Sequence, residues 1–405
     1  MSKNNEDKLV PKLRFPEFIN KGEWDLMQIG SILNAESSSL ALNKLELRKS
    51  GYAVYGADSI IGYIDNFQHK DRYISIVKDG SGVGRLNLCD GETSTLGTLS
   101  TLKSKDEKKY KLVWAFYLLN TIDLSSYVKG SGIPHIYFSD YKNENIGVPK
   151  PEEQQKIAAC LSSLDEVITS ESQKLEALKL HKKGLLQNLF PQGGETVPKL
   201  RFKEFEDSGE WKEKKLEGLA KRGSGHTPNK QISNYYNGGI KWVSLADSNK
   251  LDNRYLYATK IQISKEGIEN SSAVLHPAGT VILSRDAGVG KSAVLYSEMA
   301  VSQHFIVWVC DESKLSNWFL YYVFQILKPV FESIAVGSTI KTIGLPYFKE
   351  LLIPVPSINE QQKIASCLSS VDDLINAQSE KVKALKLHKK GLLQDLFPDV
   401  NEVNE

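Results

Sequence analysis

Two short glycine-rich runs carry the residues whose type and spacing could do chemistry: DGSGVGR, from Asp79 to Arg85, and DAGVGK, from Asp286 to Lys291. The second ends like a nucleotide-phosphate loop, but the first glycine of that motif falls on Arg285, and a strand-like run follows where a helix is required. A glycine loop for S-adenosylmethionine fails for the same reason. The sequence has no Asn/Asp-Pro-Pro-aromatic run to grip an extruded adenine, no His-Glu-x-x-His run and no nucleophile elbow. What remains for the turns is electrostatic. Lys78, Arg85, Arg285 and Lys291 stand at hairpin ends where glycine lets the backbone approach the oxygens of a polyanion. For any one of these residues, a solvated surface hairpin is the plainer alternative.

A polar, aromatic stretch, GSGHTPNKQISNYYNGGIKWVSLADSNK from Gly223, adds His226, Thr227, Asn229, Lys230 and Tyr236 as side chains that could reach base edges or sugars. A long ordered loop is the alternative reading. A weaker echo links GSGIPHI, Gly130 to Ile136, with GSTIKTI, Gly337 to Ile343. It brings in His135 and the adjoining Tyr137 on one side, and Ser338, Lys341 and Thr342 on the other, as further candidates for DNA contact.

The elements that must position these residues are duplicated. Glu153 to Pro191 returns as Glu360 to Pro398 with 28 of 39 positions identical. VPKLRFPEF at Val10 returns as VPKLRFKEF at Val197, with Trp24 and Trp211 following at matching distances. Between these landmarks the halves diverge, and the second is longer by roughly 20 residues. Alternating apolar runs such as YISIVKDGSGVGRLNL and TVILSRDAGVGKSAVLYS predict hairpins. KLVWAFYLLN and NWFLYYVFQIL predict core helices. The expected class is α+β: two mixed, sheet-dominated domains, each followed by a long helix.

The repeated segments carry a heptad seam. Ile157, Leu161, Leu164, Ile168, Leu175, Leu178, Leu185 and Leu189 form it in the first, with skips at Glu171 and Lys182. Ile364, Leu368, Val371, Ile375, Val382, Leu385, Leu392 and Leu396 form it in the second, with skips at Gln378 and Lys389. Prolines bound each segment, giving about 38 helical residues or about 57 Å. Such a helix can bury only part of its stripe on one small domain, so the two seams are expected to pair, antiparallel, with an approximate two-fold axis. Packing of each helix on its own domain is the simpler alternative. The basic runs Lys179 to Lys183 and Lys386 to Lys390 read first as solvated helix faces, with phosphate contact as the alternative.

Composition narrows the classes further. Of 405 residues, 41% are apolar and 25% charged, and no apolar run approaches the length of a membrane span. The first residues lack the pattern of a secretory signal, so export is not expected. Cys89, Cys160, Cys310 and Cys367 are scattered and read as reduced, mostly buried thiols. A net charge of +2, from 51 basic and 49 acidic residues, gives weak counterion release, so a DNA-binding reading calls for partners that help hold the duplex.

Taken as a set, LVPKLRFPEF, YAVYGADSIIGYID, SGHTPNKQISNYYNGGIKWVSLAD, DAGVGK, IPVPSINEQQKIA and the two ALKLHKKGLLQ runs resemble the specificity subunit of type I restriction-modification enzymes over nearly the whole chain. The resemblance implies two target-recognition domains, 1–150 and 192–357, two spacer helices, 151–191 and 358–398, and a disordered tail, 399–405. It implies a non-catalytic, cytoplasmic phage-defence protein that reads an asymmetric bipartite double-stranded DNA target. It also implies two modification subunits, which use S-adenosylmethionine to methylate adenine N6, and two restriction subunits driven by ATP with Mg²⁺. This chain itself binds no cofactor or metal in that picture. The first domain lacks the Gly-x-Thr-Pro element of the second, as expected for a different class of half-site. A helix of about 57 Å spans roughly 17 base pairs, so its length is expected to act as a ruler. The competing classes are a coiled-coil adaptor that ignores DNA, and an autonomous nuclease or methyltransferase.

Overall fold

The chain divides into two units, Met1–Gln173 with Ser379–Glu405, and Lys174–Gln378. The computed structural model describes residues 9–286, 288–337 and 341–400. Among these residues no helix is long and apolar enough to cross a membrane.

In unit one the elements run β1 (Asp25–Gln28), α1 (Ile29–Ile32), β2 (Leu33–Ser37), β3 (Tyr52–Tyr55), β4 (Ile60–Ile64), β5 (Tyr73–Val77), β6 (Leu86–Cys89), β7 (Ser94–Thr95), β8 (Leu99–Ser104), α2 (Leu112–Leu119), α3 (Phe138–Tyr141), β9 (Asn145–Val148) and the first part of α4 (Pro151–Asn188), whose residues from Lys174 on belong to unit two. Strands β2-β8-β5-β6 form one sheet and β4-β3-β7 another, while β1 pairs with β9. Every residue of β5 is buried. Its β-branched run therefore suits a strand covered on both faces. It makes an antiparallel hairpin with β6 through a turn in which Gly80, Gly82 and Gly84 all have positive φ, a conformation L side chains rarely adopt. The all-round apolar α2 packs Trp114, Ala115 and Leu118 into the core.

Unit two runs β10 (Lys212–Lys215), β11 (Ala220–Ser224), β12 (Tyr236–Val243), β13 (Tyr255–Leu256), β14 (Ile261–Ile263), α5 (Lys265–Glu269), β15 (Leu275–His276), β16 (Val281–Ser284), β17 (Ser292–Leu295), β18 (Met299–Val301), β19 (Phe305–Cys310), α6 (Asn317–Ile334), α7 (Leu345–Lys349), β20 (Leu352–Val355) and the first part of α8 (Ile358–Asp395), whose residues from Ser379 on belong to unit one. Its sheets are β11-β19-β16-β17-β13, β14-β12-β18-β15 and the pair β10-β20. The β16–β17 hairpin is the counterpart of β5–β6, and α6 that of α2. Cys89 is buried, whereas Cys160, Cys310 and Cys367 are half-buried, which corrects the expectation of mostly buried thiols.

One frame is built twice. Arg14 donates from Nε and Nη2 to both oxygens of Glu153 at 2.7 Å each, and Trp24 Nε1 donates to Oε1 at 3.3 Å. In unit two Arg201 does the same to Glu360 at 2.8 Å each, with Trp211 again at 3.3 Å. Glu153 and Glu360 are 2% and 1% exposed, so only a bidentate guanidinium and an indole donor make their burial tolerable. The next residue of each repeat ties the long helix to the core helix. Gln154 Oε1 accepts Lys111 N at 2.8 Å, just before α2, and Gln361 Oε1 accepts Ser316 N at 2.9 Å, just before α6. These contacts explain why the VPKLRF and EQQKIA segments recur together.

The seam residues divide their packing. Ile157, Leu161 and Leu396 lie in the core of unit one with Leu392 against it, and Ile364, Leu368 and Leu189 lie in that of unit two with Leu185 against it. Ile168, Val371 and Val382 are buried, and Leu164, Leu175, Leu178, Ile375 and Leu385 half-buried. In unit one, residues 379–395 of α8 also meet α4 through ion pairs. Lys389 Nζ lies 2.6 Å from Asp165 Oδ1, and Lys381 Nζ lies 2.6 Å from Glu171 Oε1, an order that makes the two segments antiparallel. In unit two Lys182 Nζ lies 2.6 Å from Asp372 Oδ1. Lys182 and Lys389 are thus half-buried partners of carboxylates, which corrects the reading of the basic runs as wholly solvated. Val400 packs against the core of unit one, so the tail expected from 399 does not begin there; residues 401–405 lie outside the described ones.

Candidate nucleic-acid interface

In unit one the β5–β6 turn is joined to the loop 129–137. Asp79 and Lys129 each form a bridge with His135, and Ile136 N donates to Lys78 O at 2.8 Å. This brings Lys78, His135 and Tyr137 to the β5–β6 turn that also carries Arg85. The rings of His135 and Tyr137 pack with centroids 5.2 Å apart, and Tyr137 is 47% exposed. Lys129 Nζ, 2.6 Å from Asp140 Oδ1, together with the Tyr137 N–H, holds the Asp140 carboxyl below the usual carboxylate range. Arg85 is not free for a ligand as it stands. Its guanidinium pairs with Asp58 and donates to Ala57 O at 3.4 Å.

Unit two repeats the arrangement with different residues. Asp286 and Val336 each bridge Thr342, and Ile343 N donates to Arg285 O at 3.0 Å, so Thr342 stands where His135 does and Arg285 where Lys78 does. Lys341 is exposed beside them, and Ser338 lies outside the described residues. Lys291 is held back, its Nζ 3.3 Å from Ser248 O. The loop from His226 meets the end of β18. His226 N donates to Val301 O at 3.0 Å, and a Cβ on Gly225 would fall 1.7 Å from that same oxygen, which only glycine allows. Asn229 and Lys230 are exposed and His226 presents its side chain outward. Tyr236 is occupied: its hydroxyl donates to Pro228 O at 2.6 Å and its ring lies against Trp242. It shapes the loop, and its hydroxyl proton is engaged there.

Sequence reasoning missed the link between these two loops, Gln303 and His304 in the β18–β19 turn. Thr227 Oγ1 donates to Gln303 Oε1, while His304 Nδ1 lies 2.9 Å from Asp286 Oδ2. Burial works to raise the Asp286 carboxyl. Hydrogen bonds from Thr342 and His304 and the charge of Arg285 outweigh it and hold the carboxyl below its usual range. No motif announces this turn. The signal available was an adjacent Gln-His pair between two strongly apolar strands, positions that would otherwise favour simple turn residues. The arrangement offers cations for phosphates and amide, hydroxyl and imidazole groups for base edges.

Known proteins share this architecture. The sequence model of the family described as type I restriction modification DNA specificity domain matches residues 21–180 and 208–386. The chain is 23% identical over 420 residues to the type I restriction enzyme MjaVIII specificity subunit of Methanocaldococcus jannaschii, covering 95% of this chain and 93% of that one. It is 26% identical over 387 residues to the EcoR124I/EcoR124II specificity subunit of Escherichia coli, covering 91% of each. The crystal structure of a type I restriction-modification S subunit from M. genitalium is similar in fold, with a TM-score of 0.66 at 19% identity, over 96% of this chain and all of that one.

Proposed function

Because the chain belongs to the family of type I restriction-modification DNA specificity proteins, we propose that it reads an asymmetric bipartite double-stranded DNA target, one half-site per unit, and docks the subunits that act on that DNA. One observation carries the reading. The same turn-and-loop arrangement is built twice on a duplicated frame, with Lys78 and His135 in one unit exchanged for Arg285 and Thr342 in the other. A protein that must recognise two unlike half-sites needs this combination of fixed frame and exchanged side chains.

The partners follow from the same reading. Methylation of adenine N6 requires the base to leave the duplex and enter a pocket that also holds S-adenosylmethionine. Modification subunits supply that pocket, and ATP-driven restriction subunits with Mg²⁺ supply cleavage, in the cytoplasm. This chain contributes sequence choice and no catalytic group. The two long helices pair along their seams as one antiparallel coiled coil with an approximate two-fold axis, and their length fixes the number of unread base pairs. The ion pairs Asp165–Lys389 and Asp372–Lys182, at matching positions of the repeat, support that pairing.

The test is binding of the purified complex to duplexes carrying single-base changes across the target identified by mapping methylated adenines. Affinity should fall by roughly 1–3 kcal/mol per changed base pair within either half-site and stay level between them. Indifference to sequence would leave only a protein-protein adaptor. Reversing the charges of Arg85 and Lys291 separates that adaptor too, since it would not notice the change.

A further inference from the structure

His304 differs from the other polar side chains at the unit-two turn in being gripped from behind. Its Nδ1 lies 2.9 Å from Asp286 Oδ2. The other oxygen of that carboxylate accepts the Thr342 hydroxyl and has Arg285 Nε at 3.5 Å, while Asp286 O accepts Ser284 Oγ at 2.6 Å. The carboxylate is therefore held by two neighbouring side chains, with Ser284 fixing its backbone, and it fixes the imidazole in turn. An ionised carboxylate only accepts, so a ring proton sits on Nδ1, and a ring with that one proton offers a lone pair at Nε2. Among the described residues nothing bonds to Nε2, it is not one of the buried unpartnered atoms, and the side chain is 30% exposed.

We infer that His304 is a base-reading residue of the second unit, accepting through Nε2 the exocyclic amine of an adenine or cytosine in the major groove, with Asp286 and Thr342 as its positioning residues. The inference rests on the DNA-reading function proposed above. In the major groove adenine N6 and cytosine N4 donate, whereas guanine O6 and N7 and thymine O4 present lone pairs that a second lone pair repels. An acceptor of fixed direction therefore discriminates between bases, and a freely rotating one does so far less.

The placement of the residue agrees. Gln303, next to it, accepts from Thr227 of the polar loop, and His304 O accepts Arg285 N at 3.1 Å, so the ring stands between loop and turn. Unit one fills the matching backbone position with Thr98, whose carbonyl accepts Lys78 N at 3.0 Å. Its imidazole comes from the other side of the hub, as His135, with Nδ1 3.4 Å from Ile133 O and, among the described residues, no carboxylate hydrogen-bonded to the ring. Both Nδ1 partners only accept, so both rings carry a proton on Nδ1; the units hold an imidazole at this hub from different elements, one clamped by a carboxylate at 2.9 Å and the other tied to a carbonyl at 3.4 Å.

Selection from a randomised duplex library by the full-length chain with its modification partner tests this, with thermal stability followed alongside. His304→Ala should lower the preference at one base pair of one half-site by roughly tenfold and leave the other half-site unchanged. Asp286→Asn gives a sharper signature. An amide that donates to Nδ1 moves the ring proton to Nε2, so the preference at that position should turn toward guanine or thymine. His304→Gln, whose Oε1 can still accept, should keep part of the original preference and serves if the alanine variant does not fold. Unchanged preferences in folded variants would overturn the assignment of His304 alone. A wild-type chain that enriches no sequence would overturn the DNA-reading function and this inference with it.

Discussion

Lys182 Nζ stands 2.6 Å from Asp372 Oδ1 with only 18% and 8% of the two side chains exposed, and it also lies 5.6 Å over the ring of Tyr322. The Tyr322 hydroxyl donates to the other Asp372 oxygen at 2.8 Å. Burial, with the nearby Asp372 charge, pushes the Tyr322 hydroxyl far above its ordinary value, so it remains a donor throughout the working range. Unit one repeats the group with Lys389, Asp165 and Tyr117, but Asp165 is 37% exposed. Removing one member of a buried pair strands the other. Lys182→Met should cost about 3 kcal/mol in urea unfolding. Lys389→Met should cost about 1 kcal/mol or less, because water screens Asp165. Equal losses would show that burial does not set the difference.

If Arg85 contacts DNA, it must first leave Asp58. Their side chains are 46% and 81% exposed, so exchange for a phosphate is feasible, and the carboxylate competes with it. Asp58→Asn should strengthen binding to non-specific duplex and steepen its dependence on the logarithm of salt concentration by about one. Fluorescence anisotropy over a salt series measures both quantities. An unchanged slope would remove Arg85 from the contact surface.

Two histidines bind acid tolerance to the fold. His276 is 5% exposed and its Nε2 has no partner among the described residues; burial pushes it below 6.5, partly offset by a hydrogen bond with Ser224. Burial, aided by the charge of Lys103, pushes His69 the same way. The unfolded chain therefore takes up more protons than the folded one below about pH 6.5, and stability present above that value is lost as pH falls toward the lower folded values. Urea unfolding between about pH 5 and 8 should show this decline, and His276→Leu should flatten it. A pH-independent wild type would contradict the burial of both rings.

If helix length sets the number of unread base pairs, inserting one heptad at matching positions of α4 and α8 should add roughly three base pairs between half-sites that are themselves unchanged. Mapping methylated adenines in cells carrying the lengthened chain reads this directly. An unaltered gap would discard the ruler.

The duplicated helices, the two glycine-turn hairpins and the core helices α2 and α6 were legible because their signals are local: a near-verbatim repeat, a seam and glycines forced into positive φ. Lys182 and Lys389 were misread for the opposite reason. A lysine at a skip in a heptad looks solvated until the acid facing it is known, and that acid lies on another helix far along the chain. Tyr117 and Tyr322, recurring one per domain, were the available hint. Gln303 and His304 were invisible because their role depends on which loops meet at the end of β18, and strand order is not written in any local pattern. Tyr236 braces its loop, a role the sequence did not announce, since an aromatic with a hydroxyl serves a brace or a reader alike.

The carboxylates of Glu153 and Glu360 each close a latch on an arginine and a tryptophan that come from the start of the same half. None of the three residues in either latch belongs to the loops that meet at the hub. Each half is thus fastened at its own borders, like a cassette in a holder. Lineages could trade the contents between the latches wholesale, acquiring a new address on the genome in one recombination event without renegotiating how the protein folds.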